Sequence, residues 1–311
     1  MSNPSTLAYT DEYLDWTGSA ASPIRAKHAV DRISEYSREH RIPVTLLTPT
    51  PDWEVSSANL AGVHDAAHID GVRRGVRGES SHDRRQGEVA ALMFQGTDDL
   101  VAAIEADAVA RRVYFNPQGP KHHVQFETCS RFCVFNDMAW AGHHFAPQGK
   151  RVAHLDWDIH HFDGVENLKR PSSRILTASI HESGIFPGTG RTSKPENAVF
   201  NWALPYGADD GMLLDSITEA VAHIEAFRPD ILLLACGANG LASDPLSSAR
   251  YTFDGISRAV RAYSELAARL DVPVLVGGAG GYLPHDQTPQ AWAITVTQLH
   301  QAMTDINGGS K

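Results

Sequence analysis

The stretch Val-Ala-His-Leu-Asp-Trp-Asp-Ile-His-His-Phe-Asp-Gly, residues 152–164, joins a short apolar run to a dense group of acids and histidines. Residues 152–157 have the length and apolar composition of a buried β-strand. Asp158 and His160 follow that run directly. In parallel sheets ligand sites lie beyond the carboxyl ends of the strands, so this stretch predicts both a sheet and a site at its edge.

Five further β-type runs alternate with helical patterns, at residues 44–47, 113–115, 175–180, 231–235 and 274–276. This alternation predicts an α/β fold with a central, mostly parallel sheet flanked by helices. We expect residues 1–311 to form a single domain, because folds of this class reach that length around one core. Thr97, followed by two aspartates, predicts the start of a helix.

The composition narrows the function. The formal net charge of −10 argues against a nucleic-acid binder and mildly favours cationic substrates. No signal peptide and no apolar run of about 18 residues is present, so we expect neither export nor a membrane span. The three cysteines lack the paired spacing of a zinc ribbon or a disulfide framework, which favours a cytoplasmic protein. They are Cys129, Cys133 and Cys236.

Asp158 and His160 are candidate metal ligands, because one intervening residue lets both side chains reach the same ion. Such a pair alone is more often solvated or structural. Here Asp156 and Asp163 add carboxylates that could orient imidazoles. Four ionisable groups at a buried strand end are costly without a cation or mutual hydrogen bonds, which favours a functional interpretation.

Three other strand ends carry polar groups. His122 and His123 follow the run at 113–115, and adjacent histidines could move protons beside a metal-bound water, although they often only bind backbone carbonyls. Asn239 follows the run at 231–235. Tyr282 ends a glycine-rich segment after 274–276, where Gly281 allows close backbone approach and the phenol could donate to an oxyanion.

Taken in order, these blocks resemble the histone-deacetylase superfamily, which includes acetylpolyamine amidohydrolases and acetoin-utilisation proteins. The similarity spans most of the chain and is sharpest from 119 to 282. Each block alone is weak, and together they are specific. They are Gly-Pro-Lys-His-His123, Phe132-Cys-Val-Phe-Asn-Asp137, the 156–164 segment, Phe186-Pro-Gly-Thr-Gly190, Asp244-Pro-Leu246 and Gly-Gly-Tyr282.

The resemblance implies one zinc ion at the foot of a narrow tunnel, a structural monovalent cation such as K+, and hydrolysis of an N-acyl group. The substrate would be an acylated small amine, such as a polyamine, or an acyl-lysine. Oligomeric state is left open. The implied roles are catalytic for His122, His123 and Tyr282, with Asp156 and Asp163 as histidine partners; metal-binding for Asp158, His160 and position 239; and substrate-binding for Phe132, Phe186, Arg131 and Gly281.

Position 239 departs from the family pattern, in which the third metal ligand is an aspartate. Asn239 brings no charge and is a poorer zinc donor, so we expect weaker metal binding. The departure is compatible with an engineered change, a relaxed metal requirement, or a non-catalytic descendant that binds acylated ligands without turnover. A two-manganese ureohydrolase is disfavoured, because its second acidic pair would fall on Gly237 and Asn239.

Overall fold

A computed structural model describes residues 5–17, 20–50, 52–76, 84–107, 112–169 and 174–305. In this part of the chain eight parallel strands form one sheet in the order β2-β1-β3-β8-β7-β4-β5-β6. The strands are β1 Ser5–Ala8, β2 Val44–Leu47, β3 Val113–Asn116, β4 Val152–Asp156, β5 Ile175–Glu182, β6 Val199–Leu204, β7 Ile231–Ala235 and β8 Val274–Gly277.

Helices cover both faces of the sheet. The helices are α1 Ile24–His40, α2 Trp53–Leu60, α3 Ala66–Arg73, α4 Arg84–Ala106, α5 Asp137–Phe145, α6 Asp163–Leu168, α7 Asp210–Phe227, α8 Phe253–Leu270 and α9 Gln287–Asp305. One layer contains α1, α9, α8 and α7 in contact order, and the other is built around α4 and α5. None of the helices in the described residues is long and apolar enough to cross a bilayer.

The central strands are apolar on both faces because each face packs under a helical layer. In β7, Leu232 and Leu234 enter the core beneath one layer, whereas Ile231 and Leu233 enter the core beneath the other. This alternation is the two-residue period of a strand. Ala235 at the end of β7 is in register with Asp156 of β4 and Gly277 of β8, so the residues that follow it emerge beside the ends of both neighbouring strands.

The predicted α/β fold is confirmed, and each predicted run is a strand of the parallel sheet. Two strands, β1 and β6, were not predicted. The helix start predicted at Thr97 is wrong, because Thr97 lies inside α4. Its hydroxyl donates to Asp137 Oδ2 (2.7 Å) and accepts from Asn116 Nδ2 (2.9 Å), so tertiary partners satisfy a side chain that resembles a cap.

Candidate active site

The sheet order explains why the four predicted strand ends converge. Strands β3, β8, β7 and β4 are consecutive neighbours. Because they are parallel, the loops that leave their carboxyl ends emerge side by side. The loop after β3 carries His122 and His123, the loop after β4 carries Asp158 and His160, and those after β7 and β8 carry Asn239 and Tyr282.

His122 and His123 each form a buried pair with a carboxylate. His122 Nδ1 lies 2.7 Å from Asp156 Oδ2, and His123 Nδ1 lies 2.7 Å from Asp163 Oδ1. Asp163 also accepts from Gln125 Nε2 (2.8 Å), which fixes its orientation. When its aspartate is ionised, the carboxylate can only accept, so Nδ1 of each histidine donates and Nε2 is left as the basic nitrogen.

Burial sets the protonation of this pair. Desolvation, followed by repulsion from His122, lowers the pKa of His123 to about 4 despite the opposing effect of Asp163. Burial also lowers the pKa of His122. The pKa of Asp156 is raised, first by burial and then by the neighbouring Asp158. Both imidazoles are therefore neutral near pH 7 and able to accept a proton.

Asp158, His160 and Asn239 meet at one point beside the histidine pair. Asp158 Oδ1 accepts from the backbone N–H of His160 (2.9 Å) and lies 3.1 Å from His160 Nδ1. Asn239 Nδ2 donates to Asp158 Oδ1 (2.8 Å) and lies 3.1 Å from His160 Nδ1. Asn239 Oδ1 accepts from the backbone N–H of Ile159 (3.1 Å). The amide therefore points its N–H groups, not its oxygen, at the other two side chains.

The donor set does not fit a tetrahedral zinc site. Zinc binds thiolate, imidazole and carboxylate groups, and an amide N–H has no lone pair to offer. Asn239 presents that N–H group where the resemblance implies a ligand oxygen. In the part of the chain that the structure describes, no three His, Cys, Asp or Glu side chains are grouped to hold a metal. Position 239 therefore does not act as the third ligand in this conformation.

The carboxylate of Asp158 is nevertheless fully satisfied. Its Oδ2 accepts from the backbone N–H of Gly280 (2.6 Å), in addition to the donors at Oδ1. Burial would raise the pKa of Asp158, but His122, His160 and Asn239 together lower it. A side chain at position 280 would overlap Asn239 and Asp158, so only glycine allows this approach.

Aromatic side chains form the walls above these groups. The Phe186 ring lies 4.9 Å from the His123 ring and 6.2 Å from that of His160. Phe132 lies 6.0 Å from Tyr282, edge to face. Phe132, Phe186 and Tyr282 are each partly exposed, and we infer that they border the entrance to the buried histidines. We call the space bounded by these three rings the aromatic cleft.

Tyr282 is held through its backbone. Its N–H donates to Asp244 Oδ2 (2.8 Å), and the preceding carbonyl, of Gly281, accepts from Arg25 (2.8 Å). Gly281 has a φ of 139°, which favours glycine. Burial, followed by the charge of Asp158, raises the pKa of the Tyr282 phenol, so it stays a neutral donor.

Two supporting residues had no predicted role, Arg25 and Asp244. Arg25 is buried in α1 and lies over the Trp292 ring at 5.0 Å. An arginine within the apolar face of a helix was the available signal, because a buried charge needs a specific partner. The resemblance also implies that the segment containing Ser179 helps to bind the monovalent cation. Ser179 Oγ lies 2.9 Å from His181 Nδ1, and the cation stays a prediction.

The chain is similar in sequence to known histone deacetylases. The family model described as histone deacetylase domain matches residues 19–299. Histone deacetylase clr6 of Schizosaccharomyces pombe is 32% identical over 188 residues, which cover 58% of this chain and 45% of that protein. Human histone deacetylase 1 is 30% identical over 206 residues, 61% of this chain and 42% of that protein. The chain thus spans less than half the length of these relatives.

A solved structure provides a comparison over the full fold. The acetylpolyamine aminohydrolase from Burkholderia pseudomallei superposes with a TM-score of 0.80, covering 96% of this chain and 99% of that one. Its sequence identity is 19%, so the likeness concerns the fold.

Proposed function

Since this chain belongs to the histone deacetylase family, we propose that its site takes an N-acylated primary amine and removes the acyl group. The substrate is an acylated small amine or an acyl-lysine side chain. One observation carries the proposal: two His–Asp pairs, one buried and one partly buried, lie side by side, and the ring of His123 contacts that of Phe186 in the aromatic cleft. Apolar walls above a proton-transfer pair suit an alkyl amine that is joined to a small acyl group.

The cleft favours a linear substrate. Phe132 and Phe186 present ring faces and edges on which a methylene chain can pack, and this burial excludes water from the amide bond. The neutral phenol of Tyr282 donates a hydrogen bond to the amide carbonyl. That bond strengthens as negative charge develops on the oxygen.

The histidine pair moves the protons. Nε2 of His123 or His122 accepts a proton from the attacking water, and the resulting imidazolium returns a proton to the departing amine. Asp156 and Asp163 hold the rings through Nδ1 and stabilise their positive charge. General acid–base transfer of this kind contributes roughly 100- to 10,000-fold in rate.

In the deacetylases that this chain resembles, zinc polarises the carbonyl and acidifies the water. The Asn239 amide does not fit that ion, and we assign no step to it in this chain. We therefore expect the chain as given to be slow, and the Asn239→Asp variant, which regains a carboxylate ligand, to turn over after loading with zinc.

The test is hydrolysis of N-acetylated diamines and acetyl-lysine peptides by both proteins. Within the Asn239→Asp variant, adding His123→Ala lowers kcat by at least about 100-fold, because the proton acceptor is lost. Adding His40→Ala, a change at an exposed site, leaves kcat unchanged. Absence of product from both substrate classes with both proteins contradicts the proposed function.

Binding without turnover is a second candidate, and the Asn239 amide is the observation that favours it. In that case an acetylated amine raises the melting temperature of the chain as given without forming product. Substrates that bind equally well to the Asn239→Asp variant and remain unhydrolysed would support this second candidate.

A further inference from the structure

We propose that the side-chain amide of Asn239 replaces the metal ion in this chain, so that hydrogen bonds close the site and the resting protein is metal-free. The inference rests on the proposed function because it concerns the same site, but it does not require that the protein turns over a substrate. It gives Asn239 a structural role in place of the ligand role that the family pattern implies.

The amide has one favourable orientation. Asn239 is fully buried, and its Oδ1 accepts from the Ile159 backbone N–H. A reversed amide would place two donors, Nδ2 and the Ile159 N–H, against each other. It would also place Oδ1 against the carboxylate of Asp158. The reversal that exposes an oxygen to a metal therefore loses hydrogen bonds in a buried site, where each unmade bond costs about 1–3 kcal/mol.

The N–H groups occupy the position that an ion would need. Asp158 Oδ1, His160 Nδ1 and Asn239 Nδ2 lie 2.8–3.1 Å apart, which are hydrogen-bond separations. Ligands of a tetrahedral zinc ion lie roughly 3.3 Å apart, given metal–ligand distances near 2 Å. Asn239 Nδ2 donates to Asp158 Oδ1, whereas His160 Nδ1 either accepts from this amide or donates to the carboxylate. Insertion of an ion must displace the Asn239 N–H groups and break the bond to Asp158.

Both carboxylate oxygens of Asp158 have hydrogen-bond donors without a cation. Asp158 is the one carboxylate in this three-residue group, and it accepts hydrogen bonds from Asn239, His160 and Gly280. A carboxylate that accepts several N–H bonds is stable when buried. An aspartate at position 239 would put a second negative charge beside Asp158 and create a demand for a cation.

The experiment measures metal content and thermal unfolding, neither of which depends on turnover. Purified chain and Asn239→Asp are loaded with zinc, dialysed and analysed by mass spectrometry, and zinc binding is titrated by calorimetry. We expect Asn239→Asp to hold stoichiometric zinc and the chain as given to bind it at least about 100-fold more weakly. Chelator lowers the melting temperature of zinc-loaded Asn239→Asp and leaves that of the chain as given unchanged.

Two outcomes overturn the inference: stoichiometric zinc in the chain as given, or an Asn239→Asp variant that folds and gains none. If Asn239→Asp does not fold, Asn239→His supplies a different ligand, and the same two outcomes apply to it. Asn239→Ala is the matched control, since it removes the amide without adding a ligand, and we expect it to melt lower and bind no zinc. An Asn239→Asp protein that binds zinc without hydrolysing any acylated amine contradicts the proposed function alone.

Discussion

Arg131 places a positive charge beside the Phe186 ring of the aromatic cleft. Its guanidinium lies over the Phe186 ring at 4.6 Å, and the residue is exposed. The described part of the chain provides no carboxylate partner for Arg131. A free cation at this point favours an anionic group on the substrate, although the net charge of −10 favours cationic ligands overall. The local charge dominates, because salt screens charges beyond about 10 Å.

We therefore predict that Arg131→Gly changes substrate preference. The measurement compares kcat/KM for two kinds of acylated amine in zinc-loaded Asn239→Asp, one carrying a carboxylate and the other an ammonium group. We expect the ratio of the first kcat/KM to the second to fall by about 10-fold, because one exposed charge contact is lost. Glycine suits the φ of 55° at this position, so the backbone is unstrained.

Arg228→Gly is the matched control. Arg228 is also exposed and has a φ of 51°, but it ends α7 before β7 begins, at the opposite edge of the sheet. The substitution removes the same charge from a position far from the cleft. An equal change in the ratio with Arg228→Gly would show that net charge, rather than the stacked guanidinium, sets the preference.

At the scale of single residues, the sequence could predict which side chains meet but not how they are oriented. Asp158 and His160 are recognisable because they follow a buried strand directly. The orientation of the Asn239 amide depends on the Ile159 backbone N–H, about eighty positions away in sequence. No local sequence pattern encodes that contact, so the sequence alone does not determine whether an oxygen or an N–H group of Asn239 faces the site.

Helix α5 anchors the loop that carries the histidine pair. Its cap, Asn136, accepts from the Ala139 N–H (3.0 Å) and donates to the carbonyl of Val124 (3.2 Å), next to His123. The Asn136 N–H donates to His64 Nε2 (2.9 Å). One fully buried side chain therefore ends the loop, starts the helix and holds the histidine segment.

We predict that Asn136→Ala lowers the free energy of unfolding by about 2–3 kcal/mol, because it removes a cap and leaves the Val124 carbonyl buried without its donor. Asp52→Ala is the matched control. Asp52 caps α2 at an exposed position, so its loss costs about 1 kcal/mol. Urea unfolding of the three proteins measures both values, and equal costs would contradict the anchoring role of Asn136.

Strands β1 and β6 were not predicted, because neither has the composition of a central strand. Strand β1 spans four residues, Ser5–Ala8, two of them hydroxylic, so its composition lacks the β-branched run of a central strand. Strand β6 lies at the sheet edge and is only partly buried along most of its length, which leaves a mixed pattern. Strand β1 pairs with β2 and β3, and β6 pairs with β5, the strand that precedes it. Neither strand has the regular apolar pattern from which a strand is recognised in a single sequence.

The interior of the molecule contains histidines whose pKa values are lowered, so they are neutral near pH 7. Burial is the largest factor that lowers the pKa of His64 and of His154 to about 3 in each case. His154 stacks on Phe162 at 5.3 Å, and its ring nitrogens have no hydrogen-bond partner among the described residues. His64 accepts from the Asn136 N–H, so a proton on that nitrogen would break the bond. Protonation of either ring therefore destabilises the fold.

This predicts that stability falls on the acid side. Between the unfolded pKa of about 6.5 and the folded value of about 3, the unfolded chain binds a proton that the folded chain does not, so the free energy of unfolding rises with pH. Each such histidine contributes a slope of up to about 1.4 kcal/mol per pH unit. Stability is fully present above pH 6.5 and is progressively lost below it.

Urea unfolding from pH 7.5 to 5 checks this for a single ring. His154→Leu keeps an apolar group of similar size against Phe162 and removes the titrating imidazole. The slope of the free energy of unfolding against pH therefore falls by up to about 1.4 kcal/mol per pH unit. His40→Leu, at an exposed position, leaves the slope unchanged. If His154→Leu instead retains the full slope, the acid sensitivity comes from other groups. His64 is then the next residue to test, because it accepts a hydrogen bond from the cap of α5 and its protonation would release the loop that holds the histidine pair.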